Sequence, residues 1–363
     1  MSNGNGTLTK LTEATRMLAE IKTVSDARQV ANLAEAARQY ARKAGLGLEA
    51  QNNAAEIKIK AQWKEGQILA QMKKSGELRE GKTPKLSQDG TVTVTLDELG
   101  ITRNESSRTQ QMGELPEAKL ETTIAEELGK EKELTTTTVL GVAKSERKQA
   151  ERTKRAKAGK SVALPCGVDL RVGDFRERVK DIPDNSVDLV FTDPPYDRES
   201  IPLYEDLARE AARVLKPGGS LICYAGHYAI PEILNLMTPH LRYWWTLCCK
   251  HNGNSARLTG VNVFVAWKPM LWFVKDTRGG NLDFVSDLIE SSLPTKDDHD
   301  WQQSDAEARY YIEHLTNEGD TILDPFAGSG TTLIAAHQLN RNSIGIEIDE
   351  DNANIAKSRI AKN

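Results

Sequence analysis

Between Leu8 and Lys74 the apolar positions, among them Val30, Leu33, Ala37, Tyr40 and Ala44, recur at steps of three and four in a stretch rich in Ala, Glu, Gln, Lys and Leu. That period predicts two or three helices, with Ser25-Asp26 as a cap and Gly45-Leu46-Gly47 as a break. The pattern changes after Leu164. Val187-Asp188-Leu189-Val190-Phe191-Thr192 is a short apolar run that reads as a buried strand, Glu205 to Leu215 is an amphipathic helix, Lys216-Pro217-Gly218-Gly219 a turn and Ser220 to Tyr224 a further strand. Val261 to Val274 reads as a strand pair interrupted at Lys268-Pro269, with Trp244, Trp245, Trp267 and Trp272 as core residues. From Thr321 the order is strand, glycine turn, helix to Leu339, and strand to Glu347. Alternating elements of this kind predict an α/β doubly wound, Rossmann-like sheet preceded by an all-α domain.

The intervening segment divides further. Ser75 to Gly90 is polar and reads as a loop. Thr95 to Gln111 has the phrase of a helix-turn-helix, with Leu96 and Leu99 facing a small core, Gly100 at the turn, and Arg103, Asn104, Ser107, Arg108 and Gln111 outward where they address base edges or phosphates. A plain helical hairpin fits the same residues. Lys144 to Lys157 is strongly basic, either a solvated helix face or a run in which Lys154 and Arg155 meet phosphates. The expected domains are therefore 1–74 (helical), 75–143 (helical, with the helix-turn-helix), 144–163 (basic linker) and 164–363 (catalytic).

Composition narrows the class. The chain has 363 residues and a formal charge of −4, so a grip on nucleic acid has to come from local basic surfaces. No apolar run approaches the roughly 20 residues of a membrane helix, and Met1 to Gly6 lack a signal-peptide core. Cys166, Cys223, Cys248 and Cys249 match neither a disulfide framework nor a metal site. A cytoplasmic enzyme without metal and without membrane contact is expected.

Asp193-Pro194-Pro195-Tyr196, at the end of the first strand, carries candidate chemistry. An exocyclic amine is a poor nucleophile because its lone pair is delocalised into the ring. An Asp193 carboxylate and a Pro194 carbonyl, each accepting one N–H, draw that nitrogen toward tetrahedral geometry and aim its lone pair at an electrophile. The prolines stiffen the turn and remove competing donors, and Tyr196 offers a flat face to a base taken out of the stack. The second motif runs from Thr321 to Thr332. Gly328 and Gly330 permit close backbone approach, and Glu347, about 20 residues on, can take both ribose hydroxyls. The third glycine of the dinucleotide fingerprint is absent, which favours a nucleoside over a pyrophosphate.

With both motifs in view, the chain from Leu164 onward resembles the S-adenosylmethionine-dependent DNA amino-methyltransferases, and within them the permuted β class of phage and mobile-element type, in which the catalytic segment precedes the cofactor segment. The resemblance implies catalytic roles for Asp193, Pro194, Pro195 and Tyr196. It implies cofactor contacts from Asp174, Asp324, Pro325, Phe326, Gly328, Ser329, Gly330, Thr331 and Glu347. Such enzymes commonly carry a His-Pro-x-Gln-Lys-Pro-like segment; here His299-Asp300-Trp301-Gln302-Gln303-Ser304 stands in its place, with Ser304 and Glu307 suggesting a capping box. The implied reaction is site-specific methylation of adenine N6 in DNA through base flipping, without a covalent enzyme intermediate. Cytosine N4 methylation, glutamine or RNA amine methylation, and a helix-turn-helix regulator with a non-catalytic methyltransferase fold are the alternatives. The interval Asp276 to Asp298 is short and acidic for a groove reader, so specificity is expected to be short or low, or to be supplied partly by the N-terminal helical domain; Lys154, Arg155 and Arg257 are further candidate DNA contacts. A homodimer and a cognate restriction endonuclease are partners the resemblance leaves open.

Overall fold

The computed structural model describes residues 4–79, 93–251, 256–278, 284–291 and 306–363. The chain forms two compact units, Met1–Glu151 and Arg152–Asn363.

In the first unit, α1 (Gly4–Glu20), α2 (Val24–Lys43) and α3 (Leu48–Ser75) are followed by a short parallel pair, β1 (Leu78–Arg79) and β2 (Val94–Thr95), then α4 (Arg103–Gly113), α5 (Glu117–Leu128) and α6 (Thr136–Gly159), whose last residues, from Arg152, belong to the second unit. Of the expected positions Val30 and Ala37 are buried, Leu33 is half-buried and Tyr40 and Ala44 are exposed; the packing surface of α2 is Ala27, Val30, Ala31, Ala34, Ala37 and Ala41. Small side chains let helices approach closely. At Gly66 of α3 the approach is so close that an added Cβ would lie 1.8 Å from the Thr109 carbonyl oxygen of α4. The cap of α2 is Thr23, two residues before the expected Ser25, in a reciprocal box with Asp26. The α2–α3 break falls at Gly45 to Gly47 as expected.

The expected first helix of the helix-turn-helix is absent. Leu96 to Gly100 is a turn, held by Glu98 accepting from the Thr95 backbone N–H at 2.7 Å and ended by Gly100 at φ +65°. Leu96 and Leu99 still pack on the small core of Val24, Leu69 and Ile101. The two helices that follow one another tightly are α4 and α5.

The second unit contains β3 (Val168–Val172), α7 (Phe175–Arg178), β4 (Val187–Thr192), α8 (Leu203–Val214), β5 (Leu215–Tyr224), α9 (Ile230–Met237), β6 (Arg242–His251), β7 (Ala256–Leu258), β8 (Val263–Val265), β9 (Trp267–Val274), β10 (Leu288–Ser291), α10 (Ala306–Leu315), β11 (Thr321–Asp324), α11 (Thr331–Gln338), β12 (Asn342–Glu347) and α12 (Glu350–Ile360). Eight strands form one sheet in the order β10-β6-β9-β5-β4-β11-β12-β3, with β9 antiparallel to both neighbours and the other pairs parallel. Side chains alternate between two cores. Val187, Val190, Leu221, Cys223 and Phe273 pack with α8 and α9, while Leu189, Phe191, Ile222, Trp272 and Ile322 pack with α10 and α11. Burial on both faces explains why β4 reads as a continuous apolar run. Asp188 fixes the other end of β4, bonding Lys216 Nζ and the Thr321 N–H.

Some expectations shift here. The break in Val261–Val274 lies at Ala266, before Lys268-Pro269, because β9 is the central antiparallel strand and begins at Trp267. Trp245 is 54% exposed and donates to Asp287, while Trp272 is buried. The Ser75–Gly90 loop lies mostly outside the described residues, as do His299 to Ser304.

Candidate active site

From β4 the chain proceeds to β5 on one side, and from β11 to β12 on the other. The crevice at the C-terminal ends of β4 and β11 is therefore the topological switch point, where doubly wound sheets bind ligands. Asp193 follows β4 and Asp324 ends β11. Their strands are joined at the tip: Thr192 Oγ1 donates to Asp324 Oδ1 at 2.7 Å, and the Phe326 N–H donates to the same oxygen at 3.1 Å. Burial pushes the Asp324 carboxyl up to about 6, against the lowering effect of donors from Thr192, Thr332 and Phe326, and the nearby Asp193 raises it further.

The Asp193 carboxyl is also raised, first by burial, with the Tyr196 hydroxyl and the Lys268 charge opposing. Tyr196 Oη donates to Asp193 Oδ1, so in the base-free protein the hydroxyl holds one lobe of the acceptor, a role beyond the stacking face expected from sequence. Tyr228 Oη in turn donates to the Tyr196 carbonyl and fixes the turn from the β5 side. Pro194 is buried and Pro195 exposed.

The glycine turn is built on β11 and β12. Gly330, at φ +82°, caps α11, and a Cβ there would sit 3.0 Å from Ala356 Cβ. At Gly328 an added Cβ would meet only the Phe326 carbonyl at 3.9 Å, so this backbone faces open space. Glu347 is 8% exposed, and its oxygens take the Gly328 and Asp349 N–H groups at 2.7 and 2.9 Å. Each carboxylate oxygen keeps acceptor capacity for a ribose hydroxyl. Arg359 of α12 donates to the Ser329 carbonyl at 2.7 Å and to Ser329 Oγ and Thr331 Oγ1, holding the loop from behind. Phe175 and Phe326 lie with ring centroids 4.9 Å apart, joining the end of β3 to the loop. Asp174 caps α7 and pairs with Arg176, whose hydrogen bonds and charge outweigh the raising effect of burial and leave its carboxyl below the ordinary range. Pro325 follows Asp324 in the same turn. An open, glycine-lined cradle with an anchored carboxylate beside it suits a nucleoside cofactor.

The structure thus brings Asp193, Tyr196, Asp324, Phe326, Gly328, Gly330 and Glu347 to one end of the sheet. Asp324 is engaged as a strut inside the fold. Glu307 is turned inward, where it accepts from Cys249 Sγ at 2.6 Å, and the expected capping box with Ser304 lies outside the described residues. The Thr192 hydroxyl, Arg359 and Lys268 escaped sequence reasoning. Only Thr192 gave a signal, by standing next to the catalytic carboxylate in an alternating strand.

The candidate DNA contacts lie on separate elements. Arg103, Asn104 and Arg108 are exposed on α4, capped by a Thr102/Glu105 box. Lys154 is exposed and Arg155 half-buried on α6. Arg257 on β7 lies over the exposed Phe264 ring at 5.1 Å. Among the described residues no group of three His, Cys, Asp or Glu is placed to hold a metal ion, and no helix is long and apolar enough to cross a membrane.

Fold and site together define a methyltransferase of the Rossmann-like kind. A DNA methylase family profile matches residues 287–358, and a methyltransferase domain profile matches residues 124–223. The chain is 27% identical over 221 residues to the type II methyltransferase M.HpaI of Haemophilus parainfluenzae, covering 50% of this chain and 70% of that one. It is 30% identical over 238 residues to the type II methyltransferase M.BamHI of Bacillus amyloliquefaciens, covering 52% of this chain and 56% of that one. Among solved structures, the M1.HpyAVI–SAM complex aligns at TM-score 0.44 with 28% identity, covering 53% of this chain and 98% of that one. The PvuII cytosine-N4-specific DNA methyltransferase aligns at TM-score 0.46 with 18% identity, covering 55% and 90%. The chain is thus similar, over its second half, to S-adenosylmethionine-dependent DNA amino-methyltransferases.

Proposed function

We propose that this enzyme methylates adenine N6 in DNA, on a base rotated out of the duplex. The observation that carries the reading is the Asp193-Pro194 acceptor pair at the tip of β4, tied through Thr192 and Asp324 to the glycine cradle. An aspartate at the first position of the motif, where the resemblance associates serine with cytosine N4 activity, selects adenine.

S-adenosylmethionine supplies an electrophilic methyl carbon on a sulfonium. The protein's contribution is positioning. Glu347 receives the ribose hydroxyls, and Gly328 and Gly330 let the backbone lie against the cofactor with Phe326 beside it. The Asp193 carboxylate and Pro194 carbonyl accept the two amine hydrogens, and Asp193 takes the proton that the nitrogen sheds on alkylation. When the base enters, the Tyr196 hydroxyl yields its place on Asp193 and the ring stacks on the base. Phosphate contacts come from the local positive groups Arg103, Arg108, Lys154, Arg155 and Arg257, with Asn104 as a neutral donor, on a chain of net charge −4.

The test is methyl transfer to mixed-sequence DNA followed by mass spectrometry of the digested product. N6-methyladenine is expected, and N4-methylcytosine as the product would overturn the assignment of the base. Asp193→Ala should bind cofactor normally and lose nearly all turnover; retained turnover refutes the role of the carboxylate.

A further inference from the structure

We propose that Lys268 is a positioning residue for methyl transfer: its ammonium, set over the Tyr196 and Tyr224 rings, sustains Asp193 as the amine acceptor. The inference rests on the reading of Asp193 given above. Lys268 enters the pocket from β9, the antiparallel strand, and its Nζ lies 5.6 Å from the centroid of Tyr196 and 5.8 Å from that of Tyr224. Both rings present negative faces to the cation, which fixes it without a direct ion pair. Tyr196 is the residue whose hydroxyl bonds Asp193.

The charges around Asp193 can be taken element by element. Its own turn supplies Tyr196, α8 supplies Tyr204, β5 supplies Cys223 and Tyr224, β9 supplies Lys268 and β11 supplies Asp324. Burial raises the phenols and the thiol, so they stay neutral, and Asp324 carries the same sign of charge as Asp193. Among the described residues facing Asp193, Lys268 is the cation. A buried carboxyl beside a second acid holds its proton more tightly than an exposed one, and a protonated carboxyl is a weak acceptor for an amine N–H. On the far side, Cys249, the strand partner of Lys268, donates to the buried Glu307 carboxylate.

The acid limb of the pH–turnover profile reads the Asp193 proton. Lys268→Met and Lys268→Gln should move that limb up by about one pH unit, so that turnover well below neutrality falls about tenfold while the alkaline plateau is retained. Lys268→Arg should restore the wild-type limb. A merely structural lysine would change the plateau and the melting temperature without moving the limb. An unmoved limb in both neutral variants, or an arginine variant that behaves like methionine, overturns the proposal. Asp193→Asn separates the two levels: if it abolishes turnover at every pH while Lys268→Met keeps the wild-type limb, only the lysine inference falls. If Asp193→Asn retains turnover, the reading of the acceptor itself falls.

Discussion

Replacing Asp324 by asparagine isolates the electrostatic cost of the strut beneath the active site. In the folded protein the carboxyl is pushed from its ordinary 3.8 up to about 6, chiefly by burial. A raised folded value means that the native state holds the proton more tightly than the unfolded chain. Its stabilising contribution is complete below the unfolded value and is lost as pH rises through about 6, leaving a penalty at neutral pH. Two units correspond to about 3 kcal/mol. Asparagine keeps an oxygen for Thr192 and the Phe326 N–H but carries no charge. The unfolding free energy of Asp324→Asn relative to wild type should therefore rise by about 3 kcal/mol between roughly pH 4 and pH 7.5. Asp193, also raised, is present in both proteins and drops out of the difference. Urea unfolding followed by tryptophan fluorescence at constant ionic strength measures the difference. A gap that is constant across this range, or that shrinks as pH rises, refutes the reasoning.

Three further outcomes are expected. Glu347→Ala removes the acceptor for the Gly328 and Asp349 N–H groups as well as the ribose site, so cofactor affinity measured by calorimetry should fall about 100-fold, with Glu347→Gln milder. Arg359→Met frees the Ser329 loop from behind and should weaken cofactor binding about tenfold with turnover at saturation little changed, which a titration of rate against cofactor checks. The double variant Arg103→Ala/Arg108→Ala should weaken DNA binding similarly for all sequences and make the log–log salt slope shallower by about 2 units; an unchanged slope would remove α4 from the DNA surface.

The sheet and both motifs were legible because their signals are local. An apolar run buried on two faces, prolines after a strand, and glycines followed at a fixed distance by an acid each depend on neighbours in sequence. What was not legible depends on contacts across the fold. Lys268 looked like a break between strands because proline follows it, yet β9 threads between β5 and β6 and carries the lysine to the pocket. The contact that the Glu307 carboxylate accepts from the Cys249 thiol likewise depends on β6, far away along the chain. Trp245 was counted as core on residue type alone, whereas its position on β6 exposes it. Leu96 to Gly100 had apolar spacing suited to one helical turn, and a side-chain bond from Glu98 closed it as a loop instead.

The junction of β4 with β11 has a consequence for biosynthesis. Thr192 and Asp324 are 132 residues apart, and β11 is the inner neighbour of β4. While the ribosome is still making the segment between them, β4 has β5 on one side and a row of unsatisfied backbone groups on the other. Neither half of the cleft can close until that late strand arrives and pairs with β4, with β12 following on its other side. A nascent chain in this state presents an apolar, unpaired strand for several seconds at ordinary elongation rates. Chaperone capture during synthesis should accordingly concentrate on the interval before Thr321 emerges.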